Sequence, residues 1–291
     1  MTAETKDSIF SSTTRPAAVI GAGTLGSRIA LMLASGGGEV RLYDTSASQL
    51  EVARRYLDSE LPGIVAGRSG AVAGRLVYTK DLPDAVANAW MVVEAVPEHL
   101  ELKKTIFGDL DRLAPADAIL ASNSSSYPSS QFIDFVSKPQ RVVNTHYYMP
   151  PLQNAVEVMS CGKTSDEVIK LLMERIPLYG LIPFHVRKES VGFIFNRIWA
   201  AVKRESLTVV ADGVSTPQEV DQIFAALTGI PGGPFRLMDM VGLDVALDIE
   251  EHYAACRPGL PIEPRRLLKQ YIEKGSLGVK AGKGFYTDYQ I

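Results

Sequence analysis

The sequence predicts an α/β protein, with a Rossmann-type doubly wound sheet followed by a smaller all-helical domain. In the first part of the chain, short apolar runs of strand length alternate with segments of helical spacing. This alternation is typical of a parallel sheet that is covered by helices on both faces. Beyond about residue 190 only helical patterns follow. We therefore expect one domain over residues 1–190 and a second over residues 191–291.

Eight apolar runs are predicted as strands. They are AAVIGAG, EVRLYD, RLVYT, AWMVVEAV, AILASNS, RVVNTHYY, AVEVMS and LIPFHV. Between several of them the apolar residues recur at helical spacing, which predicts helices over TLGSRIALMLASGG, from Ser46 to about Ser59, over LELKKTIFGDLDRL and over about 165–179. Strands that alternate with helices of this length indicate crossover units.

The second domain is predicted to be helical throughout. Its first pattern, GFIFNRIWAAVKRESLTVVADG, is amphipathic and ends at Gly213. Three further patterns follow at 217–228, 234–254 and 262–274, and glycine and proline residues separate them. Within the segment GGPFRLMDMVGLD, the side chains of Phe235, Leu237 and Met240 are expected to pack against a neighbouring helix.

The bulk properties exclude several classes of function. The chain has 291 residues, of which 46% are hydrophobic and 22% are charged, and its formal net charge is −3. This is the composition of an ordinary globular protein, and the charge indicates no surface for nucleic acid. The two cysteines, Cys161 and Cys256, are too few for a disulfide framework and favour a reducing, intracellular setting.

No targeting or membrane segment is predicted. The longest apolar runs, such as AWMVVEAV, are far shorter than the ~20 residues that cross a bilayer. The N-terminal leader, MTAETKDSIFSSTTRP, lacks an apolar stretch and carries Glu4 and Asp7, which argues against a transit peptide. The C-terminal DYQI is no peroxisomal signal. We expect a cytoplasmic protein that acts on a small molecule, without nucleic acid, membrane or metal.

A glycine-rich turn follows the first predicted strand. Gly21, Gly23 and Gly26 form a G-x-G-x-x-G motif with Thr24 and Leu25 inside it, and a helix follows. In this context the glycines permit a tight turn, close approach to a pyrophosphate and close packing of helix on strand. The N–H groups at the helix N-terminus would bind the phosphates.

An acidic residue, Asp44, ends the second predicted strand, and no Arg or Lys follows it directly. A carboxylate at this place binds ribose hydroxyls and repels a 2′-phosphate, so NAD is favoured over NADP. The alternative is a glycine turn and a capping aspartate in some other α/β fold.

A histidine and a glutamate lie on consecutive strands. His146 belongs to RVVNTHYYMPP and Glu157 to NAVEVMS, with a Pro-Pro turn between them. The two side chains could meet where the chain reverses. A histidine that is held by a carboxylate can take a proton from an alcohol, because the carboxylate orients the ring and stabilises the imidazolium. The alternative is a structural histidine at a strand end.

Seven segments, in order, resemble the 3-hydroxyacyl-CoA dehydrogenase family, and the likeness runs from Pro16 to Tyr286. They are GAGTLG, VVEAVPEHLELKKTIF, ASNSSS, the His146–Glu157 pair, ESVGFIFNRI, GGPFRLMDMVGLD and KAGKGFY. The resemblance implies NAD-dependent oxidation of a 3-hydroxyacyl-CoA to the 3-ketoacyl form, or the reverse. It also implies an active site in the cleft between the domains and a homodimer formed through the helical domain.

The resemblance implies roles for the residues that match the family's motifs. His146 matches the catalytic histidine and Glu157 the carboxylate that orients it. Asn196 matches an asparagine near the reacting carbonyl, and Ser125 matches a serine that contacts the substrate. The alternatives are that Asn196 hydrogen-bonds within its helix and that the run 122–126 is a loop with a helix cap.

Four more residues match cofactor contacts of the family. Asn123 matches such a contact, Glu98 and Lys103 match positions beside the nicotinamide ribose, and Lys280 matches a late contact. The alternatives are a solvated helix face for Glu98 and Lys103 and an exposed tail for Lys280.

Some positions depart from the family's pattern. Its usual H-x-x-N-P is H-Y-Y-M-P here, so Met149 replaces a polar side chain. The step from histidine to glutamate looks one residue shorter than usual, and Val191 replaces a proline. Where relatives often place lysines near the CoA phosphates, this chain has Arg54 and Arg55, which could also form a solvated face.

These departures leave two other functions open. One is a dehydrogenase of a 3-hydroxy acid without CoA, as in relatives that act on sugar acids such as L-gulonate or on carnitine. The other is a protein that binds the cofactor but has no dehydrogenase activity. The presence of His146, Glu157 and Asn196 together argues against the second.

Overall fold

The computed structural model describes residues 15–289, so that residues 1–14 of the predicted N-terminal leader and the last two residues of the C-terminal DYQI lie outside the described residues. Within this range eight strands form one sheet. They are β1 (Ala17–Ile20), β2 (Glu39–Tyr43), β3 (Arg75–Thr79), β4 (Met91–Glu94), β5 (Ile119–Ser122), β6 (Val142–Met149), β7 (Gln153–Ser160) and β8 (Ile182–Val186). Their order across the sheet is β3-β2-β1-β4-β5-β6-β7-β8, and all eight predicted strands are present.

The direction of the last two strands corrects the expectation of a parallel sheet. Strands β1 to β6 pair in parallel, but β7 runs antiparallel to β6, and β8 pairs in parallel with β7. The reason is the short connection between β6 and β7, where Leu152 N donates to Met149 O at 3.0 Å in a tight turn. A parallel partner would need a crossover of a dozen residues or more.

The central strands are buried on both faces, which explains their continuous apolar sequences. In β1, Ala17 and Val19 belong to one apolar cluster, whereas Ala18 and Ile20 belong to a second cluster on the opposite face. Helices cover the sheet. They are α1 (Thr24–Ala34), α2 (Ala47–Ala66), α3 (Leu82–Val86), α4 (Leu100–Leu113) and α5 (Asp166–Arg175).

Two of these helices differ from the prediction. Helix α2 continues past Pro62 to Ala66 rather than ending near Ser59, because Leu61 is buried in the core and anchors the added turns. Helix α3 has five residues, which is too short for a periodic pattern to reveal. Asp81 caps it by accepting a hydrogen bond from Asp84 N at 3.1 Å.

The chain divides into two compact units, and the second begins at Ile194. Among its described residues the regular elements are helical. They are α6 (Phe195–Ala211), α7 (Pro217–Thr228), α8 (Gly233–Val241), α9 (Leu243–Cys256) and α10 (Glu263–Glu273), followed by a short 3-10 turn at Val279–Ala281. No helix in the described part of the chain is both long enough and apolar enough to span a bilayer.

Within this unit, the pattern predicted over 234–254 is two helices. Gly242 has a φ of 108°, which no helix tolerates, and it separates α8 from α9. Phe235 is fully buried as expected, but the expected packing of Met240 is wrong, because its side chain is 68% exposed. Met238 takes the buried position instead.

A buried ion pair joins two helices of this second unit. Arg204 on α6 donates to both carboxylate oxygens of Glu250 on α9, at 2.5 and 3.0 Å, and both side chains are buried. Burial removes the water that would otherwise solvate each charge, so each partner depends on the other.

Arg204→Met should therefore lower the free energy of unfolding by about 3–5 kcal/mol, because it leaves Glu250 buried and unpaired. The double variant Arg204→Met/Glu250→Met should recover most of this loss. Urea unfolding followed by circular dichroism measures both. A single variant that loses less than about 1 kcal/mol would show that the pair is not buried in solution.

Candidate active site

The carboxyl ends of the parallel strands meet at one edge of the sheet. The first unit places Gly21 after β1, Asp44 after β2, Glu94 at the end of β4 and Asn123 after β5 at this edge. β6 runs in the same direction as these strands and carries His146 in its second half. In open α/β sheets ligands bind at this edge.

The structure gives a different reason for a glycine at each of the three positions of the turn. Gly21 has a φ of +105°, and a Cβ there would lie 2.5 Å from Ala95 O. A Cβ on Gly26 would lie 1.8 Å from Gly21 O. At Gly23, in contrast, no atom of the described residues beyond its own chain neighbours lies within 4 Å of the Cβ position. The protein itself therefore requires Gly21 and Gly26, whereas Gly23 leaves room for a ligand.

The N-terminus of α1 opens beside this space. Its N-cap is Gly23, and no side chain among the described residues caps the helix. Thr24 is exposed and Leu25 half-buried. Free N–H groups and the positive end of the helix dipole suit a pyrophosphate, so the turn fits a dinucleotide.

Asp44 is held by backbone groups of the turn and of the next helix. Its Oδ2 accepts a hydrogen bond from Ala22 N and its Oδ1 accepts one from Ser46 N, both at 2.9 Å. Each carboxylate oxygen has a second lone pair, so that Asp44 can still accept hydrogen bonds from two ribose hydroxyls. The side chain is partly exposed, as such a contact requires.

A buried ion pair lies at the ends of β4 and β5. Lys103 on α4 is 1% exposed, and its Nζ lies 2.8 Å from Glu94 Oε1 and 3.0 Å from Glu98 Oε2. The solvated helix face that was an alternative for Lys103 is therefore wrong. Partial burial pushes the pKa of Glu98 up, but Lys103 and hydrogen bonds from Ser124 and Ser126 outweigh it and hold the pKa below its usual range.

The serine-rich run after β5 contains both structural and exposed side chains. Ser122 and Ser124 are buried and hydrogen-bonded, which agrees with a loop and cap role for these two. Ser125 is exposed. Asn123 Oδ1 accepts a hydrogen bond from Tyr147 N at 2.9 Å, which joins the end of β5 to β6 and leaves the amide nitrogen of Asn123 to act as a donor.

His146 and Glu157 are direct neighbours across the β6–β7 ladder. His146 Nδ1 lies 3.1 Å from Glu157 Oε2, and both side chains are buried. With Glu157 ionised, Nδ1 carries the proton of this bond and Nε2 keeps a lone pair. The antiparallel turn brings the two residues together as the sequence spacing allowed.

Two aromatic residues that the sequence did not single out enclose the histidine ring. Tyr148 packs its ring edge against His146 at 4.6 Å between centroids, and its hydroxyl donates to Glu157 Oε2 at 2.7 Å. Phe193 stacks on His146 at 4.8 Å, and its backbone has a φ of 53°, which is rare outside glycine. Nothing in their spacing reveals these contacts, because they depend on the hairpin and on a left-handed residue.

The remaining residues that the sequence singles out belong to α2 or to the second unit. Asn196 is half-buried in the first turn of α6, in the second unit. In the same unit Lys280 Nζ donates to Asp244 at 2.5 and 2.6 Å. Arg54 and Arg55 both pair with Glu51 on an exposed face of α2, which agrees with a solvated face.

Both parts of the chain match known protein families. Residues 16–190 match the 3-hydroxyacyl-CoA dehydrogenase NAD binding domain, and residues 192–288 match the 3-hydroxyacyl-CoA dehydrogenase C-terminal domain.

Individual relatives are similar over nearly their whole length. The chain is 33% identical over 279 residues to a probable 3-hydroxybutyryl-CoA dehydrogenase of Bacillus subtilis, covering 94% of this chain and 96% of that protein. It is 32% identical over 280 residues to 5-formyl-3-hydroxy-2-methylpyridine 4-carboxylate 5-dehydrogenase of Mesorhizobium japonicum, covering 94% and 90%. The crystal structure of (S)-3-hydroxybutyryl-CoA dehydrogenase from Ralstonia eutropha superposes with a TM-score of 0.85 at 28% identity, covering 96% of this chain and all (100%) of that one.

The glycine turn yields a paired prediction. Gly23→Ala should leave thermal unfolding without ligand nearly unchanged, because its Cβ meets no described atom beyond its chain neighbours. It should weaken NAD binding at least about 10-fold by crowding the pyrophosphate. Gly26→Ala should lower the unfolding temperature by several degrees, since its Cβ would overlap Gly21 O. Calorimetry of both variants tests this, and equal NAD affinity of Gly23→Ala and the wild type would contradict it.

Proposed function

The chain belongs to the 3-hydroxyacyl-CoA dehydrogenase family, and from this premise we propose that it interconverts a 3-hydroxyacyl thioester and its 3-ketoacyl form with His146 as the acid–base residue. The predicted family, the Rossmann-type fold with a helical domain, and NAD as cofactor are confirmed. The observation that carries the proposed mechanism is the buried His146–Glu157 pair on β6 and β7, in the same sheet as the dinucleotide turn.

Proton transfer is assigned to Nε2 of His146. Glu157 fixes the ring through Nδ1, so Nε2 is the nitrogen that takes the proton of the substrate's C3 hydroxyl. The imidazolium formed in this step is stabilised by the adjacent carboxylate, which costs no reorganisation because the ladder already holds it in place. In the reverse direction the same nitrogen returns the proton to the carbonyl oxygen.

NAD supplies the hydride acceptor for C3 when it is bound. The turn residues Gly21, Gly23, Thr24, Leu25 and Gly26 would hold its pyrophosphate, and Asp44 its adenosine ribose. Asn123 and Glu98 would lie near the nicotinamide ribose, and Lys280 is assigned a further contact by family resemblance. The aromatic rings of Tyr148 and Phe193 pack against His146 and shield its ring from water. This shielding favours proton transfer between His146 and the substrate over proton transfer to solvent.

Ser125 and Asn196 are proposed to bind the substrate. The exposed hydroxyl of Ser125 is available to the acyl carbonyl, and Asn196 would help to position the developing C3 carbonyl. Residues 191–291 would thus contribute to substrate binding. We also propose that this helical domain forms a homodimer, which its exposed apolar side chains support. They include Ile198, Ile223, Leu227 and Met240.

Substitution of the pair tests the mechanism. His146→Gln should lower kcat by about 10²–10⁴-fold, because it removes the acid–base group, while NADH binding stays within about two-fold. Glu157→Gln should lower kcat at least about 10-fold by releasing the ring from its orientation. Steady-state kinetics with 3-hydroxybutyryl-CoA and NADH fluorescence titration measure these effects.

His185→Gln provides the matched control, because it makes the same change on β8, the strand that pairs with β7, where His185 lies opposite Val158. Its kcat should remain close to that of the wild type. Full activity of His146→Gln would rule out the proposed acid–base role.

A second candidate function is oxidation of a 3-hydroxy acid that carries no CoA. Met149 replaces the polar residue of the family's usual motif, and Arg54 and Arg55 are both paired with Glu51 rather than left to meet a phosphate. The Mesorhizobium japonicum relative is named for a pyridine carboxylate substrate, which supports this alternative.

A substrate comparison separates the two candidates. With NAD in excess, we expect NADH formation from 3-hydroxybutyryl-CoA with kcat/KM at least about 100-fold above that for free 3-hydroxybutyrate or L-gulonate, since the CoA portion adds binding energy. Absorbance at the NADH band measures both rates. The reverse ranking would establish the free acid as the substrate class.

A further inference from the structure

A continuous hydrogen-bonded network runs from the core of the first unit to the loop that bears Ser125. It begins at Glu94, the last residue of β4, which is fully buried. Glu94 Oε1 accepts hydrogen bonds from Val96 N at 2.9 Å and from Lys103 Nζ at 2.8 Å. Its Oε2 accepts one from the hydroxyl of Ser122 at 2.6 Å. The carboxylate is thus fixed by three groups.

Lys103 links the fixed carboxylate of Glu94 to the carboxylate of Glu98. The ammonium lies between the two carboxylates, at 2.8 Å from Glu94 and 3.0 Å from Glu98, and Glu98 belongs to the partly exposed segment before α4. A lysine that is 1% exposed presents no surface through which a ribose could reach its ammonium. The family resemblance placed Lys103 beside the nicotinamide ribose, whereas the structure buries it behind Glu98.

Glu98 in turn holds both neighbours of Ser125. Its Oε1 accepts hydrogen bonds from the hydroxyl of Ser124 at 2.6 Å and from Ser126 N at 2.8 Å. Ser124 N also donates to Ser122 Oγ at 3.2 Å, so that the loop is tied to Glu94 by a second route. Ser125 is left exposed between two fixed neighbours.

We propose that Lys103 and Glu94 are positioning residues for the acyl substrate, acting through Glu98 to fix the loop that presents Ser125. The proposal rests on the function proposed above, in which Ser125 contacts the substrate. This arrangement explains why the charged side chains of Glu94 and Lys103 are buried in the core. The Lys103 ammonium lies between the carboxylates of Glu94 and Glu98 and offsets the repulsion between these two negative charges.

The proposal separates substrate binding from cofactor binding. Lys103→Met should lower kcat/KM for 3-hydroxybutyryl-CoA about 10- to 100-fold, mainly through a higher KM, because the loop loses its orientation. The dissociation constant of NADH should rise by a smaller factor than KM, because the glycine turn and Asp44, which Lys103 does not hold, still bind the cofactor. If Lys103 contacts the cofactor instead, the NADH dissociation constant rises at least as much as KM does, and the proposal is overturned.

Lys104→Met is the matched control. Lys104 is the next residue of α4, but its ammonium pairs with Glu101 one turn away rather than with the buried network. Its kinetics should stay within about two-fold of the wild type. Lys103→Arg retains the positive charge and should recover part of the loss, which a defect of packing alone would not allow.

A double-mutant cycle with Ser125→Ala tests the route of action. If Lys103 acts through the loop, then Lys103→Met should have little further effect once Ser125 is removed. Additive losses would overturn the proposal. Since Lys103→Met leaves Glu94 buried and unpaired, the charge-balanced variant Glu94→Gln/Lys103→Met provides the same test if the single variant does not fold.

Amide hydrogen exchange measures the order of the loop around Ser125 independently of catalytic activity. In Lys103→Met, the amides of Ser124, Ser126 and Tyr127 should exchange at least about 10-fold faster than in the wild type, whereas Lys104→Met should leave them unchanged. This measurement needs no turnover. A wild type that is inactive on every 3-hydroxyacyl thioester would overturn the proposed function alone, and unchanged exchange in an active Lys103→Met would overturn the positioning role alone.

Discussion

Parallel hydrogen bonding among β1, β2, β4, β5 and β6 determines where the chemistry of this protein lies. The carboxyl ends of parallel strands all lie at the same edge of the sheet, so the residues at or just after these ends lie along that edge. Gly21, Asp44, Glu94 and Asn123 are gathered in this way, although long stretches of chain separate them. The antiparallel return of β7 then adds Glu157 opposite His146, which no parallel strand could do at so short a distance in sequence.

Gathering polar groups at this edge carries an electrostatic cost, because the strands that supply them are apolar on both faces. The structure meets the cost by pairing. Glu94 is satisfied by Lys103 and Ser122, Asp44 by two backbone amides, and Glu157 by His146 and Tyr148. The groups that face a ligand are those left over after this pairing, such as the exposed hydroxyl of Ser125.

The sequence predicts the features of this protein that depend on local pattern. The eight strands, the glycine turn and the His146–Glu157 spacing are all visible in short stretches, because burial on two faces and tight turns restrict residue types directly. Features decided by tertiary partners were not predicted. The burial of Lys103 and the exposure of Met240 follow from which elements become neighbours, and the helical spacing of a lysine or methionine does not contain that information.

The three glycines of the turn respond differently to selection. The fold requires Gly21 and Gly26, since a side chain at either would strike the backbone, whereas a Cβ at Gly23 would meet no described atom beyond its chain neighbours. A descendant that had lost its use for a dinucleotide would stay under pressure to keep the first and last glycines and would be free to drift at the middle one. We therefore expect this middle position to be the first of the three to change in a lineage that no longer binds the cofactor.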